Sequence, residues 1–400
     1  MFNMRKVFGF LAITSLLMTQ MGCNIAFMGR TEMDRIEFIR AVGVDKSPNK
    51  DNSIRLTIAT QSVTSGGKSG QQKESEILFS EGSTVFDAVR DFWNHMDKRP
   101  FWGHLEYVII GEEAAKEGLS EYLDFFSRDP EVRLNLRVFL VQGQGAEEVI
   151  KKVNVENKFI FDRLEGVSEN QWGQSVSNPV KLLEVMYILD NENLSLYLPC
   201  IRLGEFTDYQ GGDSKAKDLI MGGFGIFKED KLTGYLDDKM GRGLNWLRNS
   251  INSGVIVVKS PKGNDISLEI IDSNTKFMPQ IINEQLTVTI KVRMTSNIAE
   301  ISSEEDIFTG RIIEYLENQQ GHIIKEEIES VINYGQDRGL EFFGTLYAIQ
   351  HKYPIEWEDI YLKNWKDVFS NIKYTVVVES KINRTYNIKE PRLIEAGGGK

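Results

Sequence analysis

The chain has 400 residues, of which 41% are hydrophobic and 26% are charged, and it contains only four histidines and two cysteines. This composition is ordinary for a globular protein, and the length predicts two or three domains, each able to bury its own core. The formal net charge of −11 argues against nucleic acid as a partner, because both molecules are acidic.

The N-terminal residues follow the order of a secretory signal peptide. Two basic residues open the segment, no charge occurs from Val7 to Met21, and the small Gly22 precedes Cys23. A cysteine directly after the cleavage site is typical of a bacterial lipoprotein, in which the thiol receives a diacylglycerol. The sequence therefore predicts a signal peptide over residues 1–22 and lipidation at Cys23.

Two alternatives for this segment stay open. The uncharged stretch from Val7 to Gly29 is long enough to span a bilayer uncleaved, which takes about 20 residues, and Gln20 stands where the lipoprotein pattern prefers Leu. The second alternative is a structural thiol at Cys23. A disulfide to Cys200 is disfavoured, because cleavage places Cys23 at the very N-terminus.

Charge also bears on how the body is held at a membrane. Cleavage removes two cations and changes the formal net charge from −11 to −13. An acidic body is repelled by anionic lipid, so the anchor must be acyl chains, and two chains suffice where one is marginal.

The first half of the mature chain alternates between strands and helices, which predicts a mixed α/β sheet. Residues 48–52 have turn chemistry, residues 64–75 read as a mobile loop, and Ser83 is the expected N-cap of a helix. Asn178-Pro179 is expected to break the helical region 155–192. The predicted strands are 36–47, 53–63, 76–82, 104–111, 134–143 and 194–206.

The second half reads as α+β, a mostly antiparallel sheet packed by long helices. A capping box at Ser302 and Glu305 predicts the start of a long helix with a break at Gly321. The domain boundaries are set by composition. We predict an N-terminal domain at 23–205, with a possible division into two lobes near 155–200, then a linker at 206–218, a C-terminal domain at 219–390 and a flexible tail at 391–400.

No catalytic, metal or cofactor site is predicted. Cys-x-x-Cys and Gly-x-Ser-x-Gly are absent, residues 222–227 lack the third glycine of a dinucleotide loop, and residues 45–53 read as a hairpin turn rather than a calcium loop. The turn "SRDPEVR" (127–133) is interpreted as structural, its charges pairing with one another or with the following strand. The chain has four histidines, and none of them has a partner at metal-ligand spacing. They are His95, His104, His322 and His351.

Seven motifs taken together resemble one family, the Ger(x)C lipoproteins, which are the C subunits of nutrient germinant receptors in spore-forming bacteria. Asn24-Ile25 departs from the Trp-Asp that often follows the lipidated cysteine, and Gln20 is a second departure. The motifs are "VGVDK" (42–46), "GSTVFDAVRD" (82–91), "GHLEYVIIGEE" (103–113), "RDPEVRLNLRVFLVQG" (128–143), "GGFGIFKEDKLTGYLDDKMGRGLNWL" (222–247), "EFFGTLYAIQHKYPIEW" (341–357) and "VVVESKINRTY" (376–386).

The resemblance implies a non-enzymatic subunit on the outer face of the spore inner membrane, in complex with membrane-embedded A and B subunits. The alternatives are a solute-binding lipoprotein of a transporter, which needs two similar lobes around a cleft, and an anchored hydrolase. We place the expected partner surface on the helical region 303–351. Its candidate contacts are Glu314, Glu317, Lys325, Glu326 and Glu329.

Overall fold

The computed structural model describes residues 35–48, 53–64, 72–154, 159–170, 173–207, 215–283, 285–302 and 309–383. Cys23, the predicted signal peptide 1–22 and the predicted tail 391–400 lie outside these residues. Within the described parts of the chain, no helix combines the length and the apolar composition needed to cross a bilayer.

The N-terminal half forms a mixed sheet, which confirms the α/β prediction for this half. Its strands are β1 Ile36–Lys46, β2 Ile54–Thr64, β3 Gln72–Glu74, β4 Ile77–Gly82, β5 Arg99–Phe101, β6 Tyr107–Ile110, β7 Arg137–Val141, β8 Val180–Lys181, β9 Tyr197–Thr207, β10 Lys215–Lys228 and β11 Lys231–Leu236. The order across the sheet is β11-β10-β9-β7-β6-β1-β2-β3. Three central pairs are parallel: β1 with β6, β6 with β7, and β7 with β9. The flanking pairs β1 with β2 and β9 with β10 are antiparallel.

Helices cover both faces of this sheet. Successive residues of β6 alternate between them: Val108 and Ile110 pack in one core, and Tyr107 and Ile109 pack in the other. A strand buried on both faces has no polar alternation, which is why β6 is apolar at every position. The helices of this half are α1 Val85–His95, α2 Glu112–Glu117, α3 Ser120–Arg128, α4 Ala146–Val153, α5 Ile160–Asn170 and α6 Leu182–Leu189.

The C-terminal half forms a second sheet in the order β12-β13-β14-β15. The first three strands are antiparallel and β15 is parallel to β14, which confirms the mostly antiparallel prediction. Residues of α8 such as Leu316 and Ile324 are buried in the core with this sheet. The elements are α7 Asp238–Leu247, β12 Gly254–Lys259, β13 Asp265–Ile282, β14 Gln285–Ile301, α8 Gly310–Arg338, α9 Thr345–Lys352, α10 Pro354–Glu356, α11 Trp365–Asn371 and β15 Lys373–Asn383.

The predicted linker 206–218 overlaps two paired strands. Thr207 at the end of β9 pairs with Lys215 at the start of β10, and the pairing continues to Tyr197 opposite Ile226. The hairpin β10–β11, which the composition assigned to the second domain, therefore completes the first sheet. Backbone pairing between segments on either side of a polar loop is not visible in that loop's composition.

Helix starts and breaks differ from the sequence expectations at three positions. Thr84 is the N-cap of α1, because its hydroxyl accepts the N–H of Asp87, while Ser83 donates to the Asp87 carboxylate. The N-cap of α8 is Thr309, so this helix starts later than Ser302 implied. Helix α8 also runs unbroken through Gly321, which is buried against Val378 and Ser380 of β15. A methyl group at position 321 would lie 3.8 Å from the Val378 side chain, an ordinary van der Waals contact, so the packing does not require glycine.

The remaining loop predictions are partly corrected. The loop at 64–75 contains the short strand β3, which pairs with the end of β2. The helical region 155–192 contains α5 and α6, with β8 between them paired to β7. Because β9 then rejoins the same sheet, the described residues of 155–200 do not divide this half into two lobes.

Candidate interaction surfaces

Helix α1 presents aromatic side chains to solvent. Val85, Ala88, Val89 and Phe92 form its buried face, at the spacing of a 3.6-residue helix. Phe86 and Trp93 also follow helical spacing, but they lie outside the buried face and are 51% and 50% exposed, respectively. Residues seven apart lie on one side of a helix, and here that side flanks the core.

Arginine side chains stack on the two exposed rings. The guanidinium carbon of Arg90 lies 4.9 Å from the ring centre of Phe86 and 5.2 Å from that of Trp93, and the guanidinium carbon of Arg99 lies 5.8 Å from Trp93. Among the described residues, Arg90 has no ion-pair partner, whereas Arg99 pairs with Glu131 at 2.5 Å. We call Phe86, Arg90, Trp93 and Arg99 the aromatic–arginine face.

A groove of about 690 Å³ continues this face between α1 and α3. Phe86 and Phe125 line it, with their ring centres 6.0 Å apart, and the "SRDPEVR" turn closes its far side. Within the turn, Asp129 accepts the N–H of Glu131 at 2.8 Å, and two other charges of the turn pair with residues outside it. Arg128 pairs with Asp124 of α3 at 2.6 Å, and Glu131 pairs with Arg99 and also accepts the N–H of Trp102.

The start of the fold lies beside the aromatic–arginine face. Ile36, the first residue of β1, is in parallel register with Arg99 of β5. Arg99 in turn stacks on Trp93. The chain that precedes β1 therefore enters the fold next to this surface.

The surface expected on α8 is only partly available. Glu314 and Glu326 are exposed, but Glu317 is occupied within the fold, where its carboxylate accepts the N–H of Ile382 at 2.9 Å. Lys325 forms a 3.7 Å ion pair with Glu329. Glu326, although exposed, lies 3.1 Å from the ring nitrogen of His322. Four of the five predicted contacts therefore have partners inside this half of the chain.

A buried carboxylate that the sequence did not single out joins α7 to α8. Glu327 is 0% exposed and accepts N–H groups from Arg242, at 3.0 Å from Nε, and from Trp246, at 3.1 Å from Nε1. A buried charge of this kind is stable only with its partners in place. This cluster fixes the long helix to the connection between the two sheets.

A second buried carboxylate, Glu341, lies where the two halves meet. Its Oε1 accepts the N–H groups of Phe343, Gly344 and Thr345, and its backbone oxygen accepts the N–H of Ser195 at 2.6 Å. Burial raises the pKa of the Glu341 carboxyl, and the three backbone bonds oppose that rise. The cavity beside it measures about 50 Å³, too small for a ligand such as an amino acid or a sugar.

A second exposed apolar surface lies between α9 and α11. Ile355, Ile360 and Leu362 are 71%, 57% and 42% exposed, respectively, on a helical connection held by the buried rings of Trp357 and Trp365. This connection contains a single π-helical turn, Trp357–Tyr361. We call Ile355, Ile360 and Leu362 the C-terminal ridge. Charged residues of both signs flank the ridge: Glu356, Glu358, Asp359, Lys363 and Lys366.

Two residues that the sequence raised as possible ligands, His104 and Asp45, have packing and capping roles instead. Among the described residues, no group of three or more His, Cys, Asp or Glu side chains is close enough to hold a metal ion. His104 packs between Phe38 and Phe101. Asp45, from the calcium-loop-like stretch, instead accepts the N–H groups of Ala146 and Glu147 at 2.8 Å each and thereby caps α4.

Comparison with known proteins assigns the chain to a family. Residues 29–203 match the family "Spore germination protein N-terminal domain", and residues 222–386 match "Spore germination B3/GerAC like, C-terminal". This chain belongs to the Ger(x)C family. The matches cover both sheets, so membership does not depend on one short motif.

Individual Ger(x)C relatives match over most of their length. Spore germination protein KC of Bacillus subtilis is 24% identical over 89% of this chain and 91% of its own length. Spore germination protein GerQC of Bacillus cereus is 18% identical over 88% and 93%, respectively. A solved structure of the GerBC protein has a TM-score of 0.56 at 20% identity, over 85% of this chain and 97% of that one. At this identity the structural likeness shows the fold alone.

Proposed function

We propose that this Ger(x)C protein is the lipid-anchored, non-enzymatic C subunit of a nutrient germinant receptor. It acts with membrane-embedded A and B subunits on the outer face of the spore inner membrane. The observation that carries the proposal is the family match across both sheets, combined with the order of basic residues, apolar stretch, Gly22 and Cys23 in the sequence.

The anchor explains how modest contact surfaces suffice for such a subunit. Acyl chains at Cys23 confine the body to a layer beside the bilayer, which raises its effective concentration against integral partners. The C-terminal ridge suits a protein partner, because its apolar side chains are exposed and charged residues of both signs surround them.

The solute-binding alternative receives less support from the fold. That class needs two similar lobes with a ligand cleft between them. Here the two sheets differ in topology, and the cavity beside Glu341 at their junction holds only about 50 Å³. Among the described residues, the absence of a grouped metal-ligand set likewise gives the hydrolase alternative no support.

The decisive experiment replaces Cys23 in a spore-forming strain that carries this receptor alone. Cys23→Ala is expected to leave the chain unprocessed or lost from the membrane, and to abolish the response to the receptor's nutrients. A nutrient-independent trigger should still germinate these spores. A Cys23→Ala chain that stays membrane-bound at mature size and supports normal germination would contradict the anchor.

A further inference from the structure

The aromatic–arginine face has the side-chain chemistry of a bilayer interface. Tryptophan and arginine favour the headgroup layer, since one end of each side chain is apolar and the other is polar. Phe86 and Trp93 expose about half of their side chains, and Arg90 lies over both rings. An arginine stacked on an aromatic ring is not by itself a sign of an exposed surface, because Arg248 stacks on the buried ring of Tyr197. The exposure of Phe86 and Trp93 is therefore the observation that matters.

The position of the tether restricts which surface can face the lipid. Twelve residues separate Cys23 from Ile36, and even fully extended they reach about 40 Å. Ile36 is in register with Arg99 of the aromatic–arginine face. The body is thus held close to the bilayer by the end of the fold that carries this face.

Charge adds one requirement for the lipid-facing surface. The mature chain has a formal net charge of −13 after loss of the two signal-peptide cations, so most of its surface is repelled by anionic lipid. Arg90 has no carboxylate partner among the described residues and can meet a phosphate. Charge alone does not decide between the two surfaces, because Asp87 and Asp91 also lie on α1, and Lys363 and Lys366 lie beside the acidic residues of the C-terminal ridge.

We propose that the aromatic–arginine face lies against the lipid headgroups, with Phe86 and Trp93 at the level of the glycerol backbone and Arg90 on lipid phosphate. This inference rests on the proposed membrane anchor. It fixes the orientation of the body: the α1 side faces the bilayer, and the C-terminal ridge is left for a protein partner.

The test uses the full chain on vesicles of phosphatidylglycerol and phosphatidylcholine with bromine on the acyl chains near the headgroup. Bromine quenches tryptophan fluorescence on contact. Trp93 is 50% exposed, whereas Trp102, Trp246, Trp357 and Trp365 are at most 4% exposed. The Trp93→Phe chain gives the background signal, and the difference between the two chains isolates Trp93.

The fluorescence of Trp93 is expected to fall about twofold on brominated vesicles relative to unbrominated ones. The matched control carries a tryptophan on the ridge, as Trp93→Phe with Ile360→Trp, at a position that is 57% exposed. Its added signal is expected to stay unquenched. Equal quenching at both positions, or none at Trp93, would overturn the orientation.

Flotation of the same samples separates this inference from the anchor. A chain that floats with the vesicles while Trp93 is unquenched keeps the anchor and overturns the lipid-facing α1 surface. A chain that does not float overturns both. Protection of Trp93 from an aqueous quencher only when the A and B subunits are present, without bromine quenching, would assign the face to a protein contact instead.

Discussion

The buried ion pair between Arg242 and Glu327 gives a quantitative test of how α7 is joined to α8. Glu327 is 0% exposed, and the Arg242 side chain, which donates three N–H···O contacts to it, is 18% exposed. Arg242→Ala leaves the carboxylate with the single bond from Trp246 Nε1. Removing one partner of a buried pair costs about 3–5 kcal/mol, because the remaining charge stays desolvated.

The free energy of unfolding is measured by urea denaturation followed through tryptophan fluorescence. For the C-terminal half, a loss of this size lowers the melting temperature by about 10 °C. Arg293→Ala is the matched control, since Arg293 is 63% exposed in its pair with Glu379, and it is expected to leave the transition unchanged. The double variant Arg242→Met with Glu327→Met should recover most of the loss, because no charge remains buried.

Two results would refute this reasoning. If Arg242→Ala costs less than about 1 kcal/mol, the Glu327 carboxylate is solvated or neutral and does not depend on its partner. If the double methionine variant is as unstable as Arg242→Ala, the loss arises from packing of the arginine stem rather than from an unpaired charge.

Three further predictions concern pH, the "SRDPEVR" turn and backbone strain. Burial raises the folded-state pKa of Glu341, so the folded protein is expected to lose stability as pH rises from the ordinary value of 4.5 through the folded pKa. Melting temperatures taken at pH 4 and pH 7 measure this loss, and Glu341→Gln should remove it. Glu131→Ala should cost about 1–2 kcal/mol through the lost Trp102 N–H and Arg99 contacts, whereas Arg128→Ala should leave the melting temperature unchanged, since its pair with Asp124 is exposed; equal effects would contradict this difference. Gly223→Ala should cost more than Gly263→Ala in urea denaturation, since both have positive φ but only the added methyl group at 223 meets a backbone oxygen, at 2.2 Å; equal costs would mean that strain alone decides.

Local patterns in the sequence determined most of the secondary structure. The alternating strands β1 and β2 occur where the sequence predicted them and pair antiparallel, because alternation is a property of neighbouring positions. The apolar stripe of α8 likewise predicts which residues are buried, such as Leu316 and Ile328. The family resemblance also needed only the order of motifs along the chain.

The roles of chemically similar residues were decided by the tertiary structure. Glu326 and Glu327 are adjacent glutamates on one helix, yet Glu326 is exposed beside Lys239, whereas Glu327 is buried against Arg242. Helical periodicity gives the angular position of a residue around the axis of its own helix, but it does not say which other helix packs against that side. The same limit explains why Glu327 was not singled out.

Pairing between distant segments was also beyond the sequence. Strand β10 follows a polar stretch that reads as a linker, but its partner β9 lies on the other side of that stretch, and the pair extends the first sheet. Phe86 and Trp93 follow the spacing of a core stripe, but the sheet beneath α1 covers only one side of the helix, which leaves both rings exposed. The sequence thus determined which residues are apolar and how they repeat, and only the packing of remote elements decided which of them are covered, because burial depends on a partner surface that local periodicity does not specify.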